Sequence, residues 1–222
     1  MRYNNIERGT FLRRLNRFAA EVEMGGGPVR VHVKNTGRLR ELLAPGARAV
    51  LARADRPGRK TAFDLVAVYR GDGRLFNIDS QAPNIVVKEW LADLGRFDEI
   101  TPECTVGNSR FDFRMMREGR LCLLEVKGCT LIRDGVGYFP DAPTERGVKH
   151  LRELTRLAGQ GIQCAVGFVI QSEGCEEVLP NRETHPAFGE ALDAARAAGV
   201  RILQLPCLVT EDSLRIRPDV RW

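Results

Sequence analysis

The stretch that most constrains this chain is residues 108–128, NSRFDFRMMREGRLCLLEVKG. Polar and apolar residues alternate on both sides of Glu118-Gly119, and Arg117 and Arg120 flank that dipeptide. This is the pattern of a β-hairpin with a two-residue turn. Centring the turn there places Asp112 opposite Glu125. Side chains alternate faces along a strand, so Arg110, Asp112 and Arg114 share a face with Leu123, Glu125 and Lys127. Phe111, Phe113, Met115, Cys122, Leu124 and Val126 form the other side, expected to face the core. Opposed Cβ atoms in such a pair lie roughly 4.5–5.5 Å apart. Two carboxylates at that separation repel, and a hard divalent cation between them removes the conflict. Mg²⁺ typically takes one or two carboxylates together with waters and substrate phosphate.

Lys127 stands two residues past Glu125 on the same face, where it can orient an attacking water or neutralise a phosphate oxygen. Arg110 is expected opposite Lys127, which sets a cationic pair beside the carboxylate pair. Asp112, Glu125 and Lys127 form the D-(x)n-E-x-K pattern of the PD-(D/E)XK nuclease superfamily. E-x-K is also common on solvated strands, and a half-exposed hairpin held by cross-strand ion pairs carries the same residues. The surroundings decide between these readings.

The 222 residues, 43% hydrophobic and 28% charged, suit one large or two small globular domains. No apolar run approaches the ~20 residues of a membrane span. MRYNNIERGTFLRR lacks the apolar centre of a signal peptide. The six cysteines show no C-x-x-C and no paired spacing with histidines. Reduced thiols in a cytoplasmic protein without zinc are therefore expected. The net charge of +5 is unevenly spread: residues 1–83 carry 16 Lys+Arg against 8 Asp+Glu, and residues 84–222 carry 18 against 21. A basic front half suits a polyanion, nucleic acid first, although an arginine-rich composition gives the same totals.

Residues 9–24 fit a helical face through Phe11, Leu12, Leu15, Phe18 and Ala19, or a strand ending at GGGP (25–28). VRVHVKN (29–35) alternates as a strand, with Arg30, His32 and Lys34 on one face. A turn and short helix are expected over 36–46. Strands are expected over 47–53, 62–70 and 74–79, separated by ADRPGRK and GDG. Five short strands and a helix suggest an OB-like β-barrel over residues 1–83. Arg13, Arg14, Arg17, His32, Lys34 and Arg38 are candidate phosphate contacts, with Arg110 and Lys149 added from the second half. Tyr3, Phe11, Phe18, Phe63, Tyr69 and Phe76 are expected mostly in the core, which argues for tracking the backbone rather than reading bases.

Residues 80–83 read as a linker and Asn84 as the N-cap of a helix ended by Gly95. Glu89 on that helix is a candidate third acidic ligand, with an ordinary exposed residue as the alternative. After the hairpin come a strand over 130–139 with an Asp-Gly turn and a helix opened by Pro143 with Asp141 or Thr144 near its cap. Arg146 and His150 are four apart on that helix and so lie one above the other. A buried strand (164–171), a helix (185–199) and strands over 200–210 and 214–222 follow. The terminal strand is a candidate for pairing across a homodimer. The fold class expected is α/β (α+β), an OB-like barrel followed over 84–222 by a mixed sheet flanked by helices.

The blocks GTFLRRLNRF, HVKNTG, APG, RKT, APN, GNSRFDF, LEVKGCTL, FPDAPTERGVKHLREL and HPAF run in order over nearly the whole chain. They resemble the signature blocks of the sugar fermentation stimulation protein A (SfsA) family. The resemblance implies an N-terminal OB fold, a PD-(D/E)XK nuclease-like domain, and a cytosolic prokaryotic DNA-binding protein linked by name to regulation of sugar, especially maltose, metabolism. Carried over by motif, Asp112, Glu125 and Lys127 occupy the nuclease-like site, and Glu145, Arg146, Lys149 and His150 sit on the helix beside it. Asn35, Thr36 and Gly37 belong to the N-terminal signature, with turn geometry as their expected role. GGGP and the Arg-Leu after NTG depart from the family's usual loops.

Three functions follow for weighing. The first is a nuclease dependent on Mg²⁺, with Mn²⁺ as a substitute. In it Asp112 and Glu125 hold the metal, Lys127 positions water, and Arg146 or His150 grips the scissile phosphate, His150 also as a proton shuttle. The second is a DNA-binding transcriptional regulator without cleavage, since fold does not fix function. The third, a sugar enzyme, has no aromatic platform in its favour.

Overall fold

The structure, a computed structural model, describes residues 1–54, 59–107 and 109–222. Asn108, which opens the hairpin stretch, and residues 55–58, inside the expected ADRPGRK connection, lie outside the described residues. The ambiguous segment 9–24 resolves into two strands, β1 (Ile6–Asn16) and β2 (Ala19–Met24). Register shifts at Phe11/Arg13 and Arg14/Asn16 bend β1, so that it pairs with β2 at one end and with β4 (Arg48–Arg53) at the other. β3 (Gly27–Val33) pairs with β2, and β5 (Phe63–Tyr69) pairs with β4. A short parallel ladder between β3 and β5, His32↔Asp64 and Val33↔Leu65, closes the five strands into an OB barrel. β6 (Leu75–Asn77) continues from β5. Phe11, Val22, Val31, Leu51, Leu65 and Phe76 fill the interior.

The helix expected within 36–46 does not form. Leu39 has φ +47°, and both Leu42 and Leu43 bond back to its carbonyl. The leucine spacing that imitates a helix is one turn, cut off by Pro45-Gly46, that drives three leucines into the barrel end. The expected linker is also structured. Ala82 and Pro83 are buried in the first turn of α1 (Ala82–Leu94), whose N-cap is Gln81 and not Asn84. Gly95 ends the helix at φ 59°, as expected for a left-handed cap.

The second half builds a six-stranded mixed sheet. An edge strand not foreseen in the sequence, β7 (Glu99–Val106), pairs with β8 (Ser109–Arg117). β8 turns at Glu118-Gly119 into β9 (Arg120–Cys129), with Arg117↔Arg120 and Phe113↔Leu124 paired as the turn centre requires. The hairpin β10 (Ile132–Arg133) and β11 (Val136–Phe139) leads to α2 (Glu145–Ala158), where the Thr144 side chain accepts from Gly147 N as the N-cap. β12 (Gln163–Ile170) lies parallel to β9. β13 (Val178–Pro180) joins β11, and α3 (Pro186–Ala197) crosses to β14 (Arg201–Thr210), parallel to β12. β15 (Ser213–Ile216) ends the order β15-β14-β12-β9-β8-β7.

Both faces of this sheet are covered, which is why its central strands are continuously apolar. Val86, Val87, Trp90 and Leu91 of α1 pack on Phe113, Met115, Cys122, Leu124 and Val126. Val148, Leu151 and Leu154 of α2, with Phe188 and Leu192 of α3, pack on the opposite face with Leu123 and Phe111. The polar face expected of the hairpin is therefore a second core face, roofed by α2. Phe111 belongs to it, not to the Phe113 side where strict alternation put it.

The barrel and the sheet meet at Gln171, just past β12 and 1% exposed. Its Nε2 donates to Asn77 Oδ1 at 3.0 Å and to the carbonyls of Asn77 and Asp79 at 3.2 Å. Gly128 permits this approach, because a Cβ there would press on the Gln171 amide and lie 2.9 Å from Pro83 Cγ. Gly128→Ala should therefore destabilise by about 1–3 kcal/mol, the range for overpacking. Thermal melting should fall by about 2–4 °C for each kcal/mol. An unchanged melting temperature would show that the seam has slack.

Candidate functional site

β9 carries Glu125 into the sheet interior under α2, where it is 3% exposed. An ionised carboxylate survives there only with partners. Lys127 Nζ donates to Glu125 Oε1 at 2.6 Å, and His150 Nδ1 of α2 makes a short contact with the same oxygen. Burial pushes the Glu125 carboxyl up, but the His150 hydrogen bond and the Lys127 charge outweigh it and hold it below its usual range. Oε2 of Glu125 is buried and has no hydrogen-bond partner among the described residues.

Asp112 stands where the regular β8–β9 ladder, last paired at Phe113↔Leu124, gives out. Its Oδ2 accepts from Val126 N at 2.7 Å, in place of a strand–strand bond, and its Oδ1 accepts from Asn84 Nδ2 at 2.8 Å. Burial first, then the Glu125 charge, pushes the Asp112 carboxyl up. The two carboxylates therefore do sense each other, and their acidities are driven apart.

The Asp112–Glu125 pair suits a hard divalent cation. Both groups offer oxygen donors, one of those oxygens is buried and unsatisfied among the described residues, and the mutual repulsion is the strain a cation relieves. Among the described residues, no group of three or more His, Cys, Asp and Glu is arranged to hold a metal. Waters and substrate phosphate would complete the shell. Glu89, the candidate third ligand, pairs instead with the Met1 ammonium at 2.5 Å. A residue five places after Asn84 is turned roughly 140° around the helix from it.

The remaining candidates separate. His150 is 4% exposed and engages Glu125, so it faces the carboxylate rather than solvent. Arg146 and Lys149 lie on the exposed face of α2 and line a shallow groove with Arg152 and Arg156. Arg110 does not pair with Lys127; it turns to Glu103 of β7 at 2.5 Å. On the barrel, Arg13 is exposed and bonded to Glu21 at 2.7 Å, while Arg17 and Arg38 are exposed. Arg14 is turned inward onto backbone carbonyls. His32 and Lys34 gather around Asp64, which also takes both terminal nitrogens of Arg59. Lys34 reaches Asp79 as well, at 3.2 Å.

Sequence reasoning missed Asn84, Gly128 and Asp64. Asn84 sits in the family-like APN block, but its preference for helix caps directed attention to its backbone rather than its amide. Asp64 has no local signal, because its partners come from β3 and from the β4–β5 connection.

Family models match the chain in two blocks. An SfsA N-terminal OB domain covers residues 12–78, and a sugar fermentation stimulation protein RE domain covers residues 81–213. The sugar fermentation stimulation protein homolog of Desulfitobacterium hafniense (strain DSM 10664 / DCB-2) is 52% identical over 217 residues, covering 96% of this chain and 94% of that protein. The homolog from Clostridium beijerinckii is 48% identical over 223 residues, covering 99% and 98%. The structure of Pyrococcus furiosus SfsA in complex with Ca²⁺ aligns with a TM-score of 0.84 and 28% identity, covering 97% of this chain and 96% of that one.

The barrel's ion cluster makes a pH prediction. Burial pushes the Asp64 carboxyl up, but Arg59, His32 and Lys34 together bring it below its usual range. A depressed carboxylate stabilises the fold above its unfolded value of about 3.9 and loses that contribution as pH falls through the folded value. Asp64→Asn should cost about 1.5–3 kcal/mol at neutral pH, the range for a charge-assisted hydrogen bond. The gap from wild type in thermal melts should close as pH drops below about 3.9. A gap that persisted in acid would assign the loss to packing.

Proposed function

The chain belongs to the SfsA family, and on that premise we propose that it is a DNA-binding protein whose sheet carries a Mg²⁺-dependent phosphodiester-hydrolysing site. The observation that carries this reading is the buried Glu125 carboxylate, with one oxygen held by Lys127 and His150 and the other unpartnered among the described residues, beside the half-buried Asp112 carboxylate. A surface that only binds DNA has no physical use for two such groups, since both repel phosphate. That the Pyrococcus furiosus relative is in complex with Ca²⁺, also a hard oxygen-seeking ion, supports the same reading.

Asp112 and Glu125 would hold the cation, with Mn²⁺ able to replace Mg²⁺. When bound, the ion supplies Lewis acidity toward a phosphoryl oxygen and toward water. The protein supplies the rest. Asn84 and Val126 N fix both oxygens of Asp112, so its orientation is set before any ligand arrives. His150 keeps Glu125 ionised and aimed; it acts here as a positioning residue. Lys127, 14% exposed, already stands at the Glu125 carboxylate, placed to steady an attacking water or a non-bridging oxygen. Arg146 and Lys149 on the outer face of α2 would take flanking phosphates.

A second reading, a DNA-binding regulator without cleavage, draws support from Lys127 itself, whose ammonium is bonded to Glu125 rather than held toward a substrate. One experiment separates the two: incubation of supercoiled and single-stranded DNA with Mg²⁺, Mn²⁺ or EDTA. Metal-dependent products are expected from the wild type. They should fall by more than about 100-fold in Asp112→Ala, beyond the loss typical of removing an outer-shell partner, with salt-dependent DNA retention unchanged. Retention without products under either metal would leave the regulator. Absence of retention would remove both readings.

A further inference from the structure

Phe18 is the exception to the expectation that most of the barrel's aromatics are core. It is 56% exposed and is the only exposed aromatic side chain among the described residues. A single exposed hydrophobe is ordinary on a protein surface. What surrounds this one is not. Phe18 stands at the β1–β2 turn beside exposed Arg17, and its backbone is pinned on both sides. Phe18 N donates to Asn16 Oδ1 at 2.9 Å, and its carbonyl accepts from Val33 N at 2.9 Å.

Arg14 completes the arrangement. Its guanidinium donates to the carbonyls of Asn16 (3.1 Å), Arg17 (2.9 Å), Asn35 (2.6 Å), Gly37 (2.6 Å) and Arg38 (3.2 Å). One charged fork thus staples the β1–β2 tip to the 35–38 loop, and desolvation lowers its pKa. That loop in turn abuts the second half of the chain. A Cβ on Gly37 would lie 2.8 Å from Asp141 Oδ2. Asn35 shares the lining of a small cavity of about 130 Å³ with Ser80, Pro83, Gly128 and Asp141. Pro83 and Gly128 are the chain neighbours of Asn84 and Lys127. An exposed aromatic next to Arg17 in the chain is therefore anchored through its backbone at a tip that the 35–38 loop joins to this cavity.

We propose that Phe18 is a base-stacking platform, and that the substrate class of the site is an unpaired polynucleotide strand rather than a closed duplex. This rests on the reading of the carboxylate site as one that acts on nucleic acid. A base in a duplex presents only its edges, whereas an unpaired base offers a π-face to an exposed ring. Exposed Arg17, next to Phe18 in the chain, would take an adjoining phosphate.

The test compares wild type, Phe18→Ala, Phe18→Trp and Arg14→Lys. The probes are oligothymidylate and oligouridylate longer than the ~16 nucleotides one OB fold covers, an abasic oligodeoxynucleotide of the same length, and a blunt duplex. Phe18→Ala should weaken oligothymidylate binding by about 5- to 150-fold, the loss of one stacked base. It should leave the abasic strand, the duplex and the melting temperature unchanged. Phe18→Trp should restore affinity, with its fluorescence quenched on binding. Arg14→Lys keeps the charge but not the fork, and should reproduce the loss. Comparing the two oligonucleotides shows whether DNA or RNA is preferred. Equal losses on all probes, or none, would overturn the inference. If wild type retains DNA and cleaves it with metal but Phe18→Ala is indifferent, this inference alone falls. If wild type retains no polynucleotide, the reading beneath it falls too.

Discussion

Burying an ionised carboxylate is costly unless hydrogen-bonded cations accompany it. Glu125 is placed where that constraint is most severe, in a central strand with α2 above it. Lys127 and His150 both meet one of its oxygens, which leaves the other without a partner among the described residues. His150 can do this only because α2, capped by Thr144, packs Val148 and Leu151 onto the sheet. The cap, the amphipathic face and the strand register therefore converge on the state of a single carboxylate.

The second constraint is how the two halves of the chain are joined. Gln171 ties the end of β12 to the backbone following β6, and Gly128 leaves room for it directly after Lys127. The join therefore touches the strand that carries Glu125 and Lys127, and α1 begins from it with Asn84 reaching Asp112. Glu211 extends the contact by bonding Tyr69 and Arg8 of the barrel. The barrel is a neighbour of the site rather than an appendage.

The parts of this site that were readable in sequence are those set by local rules. Glu118-Gly119 announced the turn, and both residues adopt positive φ (51° and 72°). Thr144 and Gly95 behave as the caps their residue types suggest. The misreadings share a long-range cause. Alternation puts Phe111 on the wrong face because it holds only while the ladder does, and the β8–β9 ladder ends at Phe113. β7 was hidden by Pro102 and by Glu103 at φ 55°, neither of which signals a strand. Asn84 and Arg14 looked like a cap and a surface cation. Their true partners, Asp112 and the 35–38 loop, lie 28 and 21 or more residues away. Glu89 likewise has its partner, the Met1 ammonium, 88 residues away.

The central claim is that Asp112 and the free oxygen of Glu125 share a hard cation. Anomalous scattering from crystals grown with Mn²⁺ addresses it most directly. The account predicts a peak with oxygens of both carboxylates within about 2.0–2.6 Å, the span of hard-cation coordination, lost in Glu125→Gln. A fully occupied Mn²⁺ elsewhere, with Glu125 Oε2 still unpartnered, would contradict it.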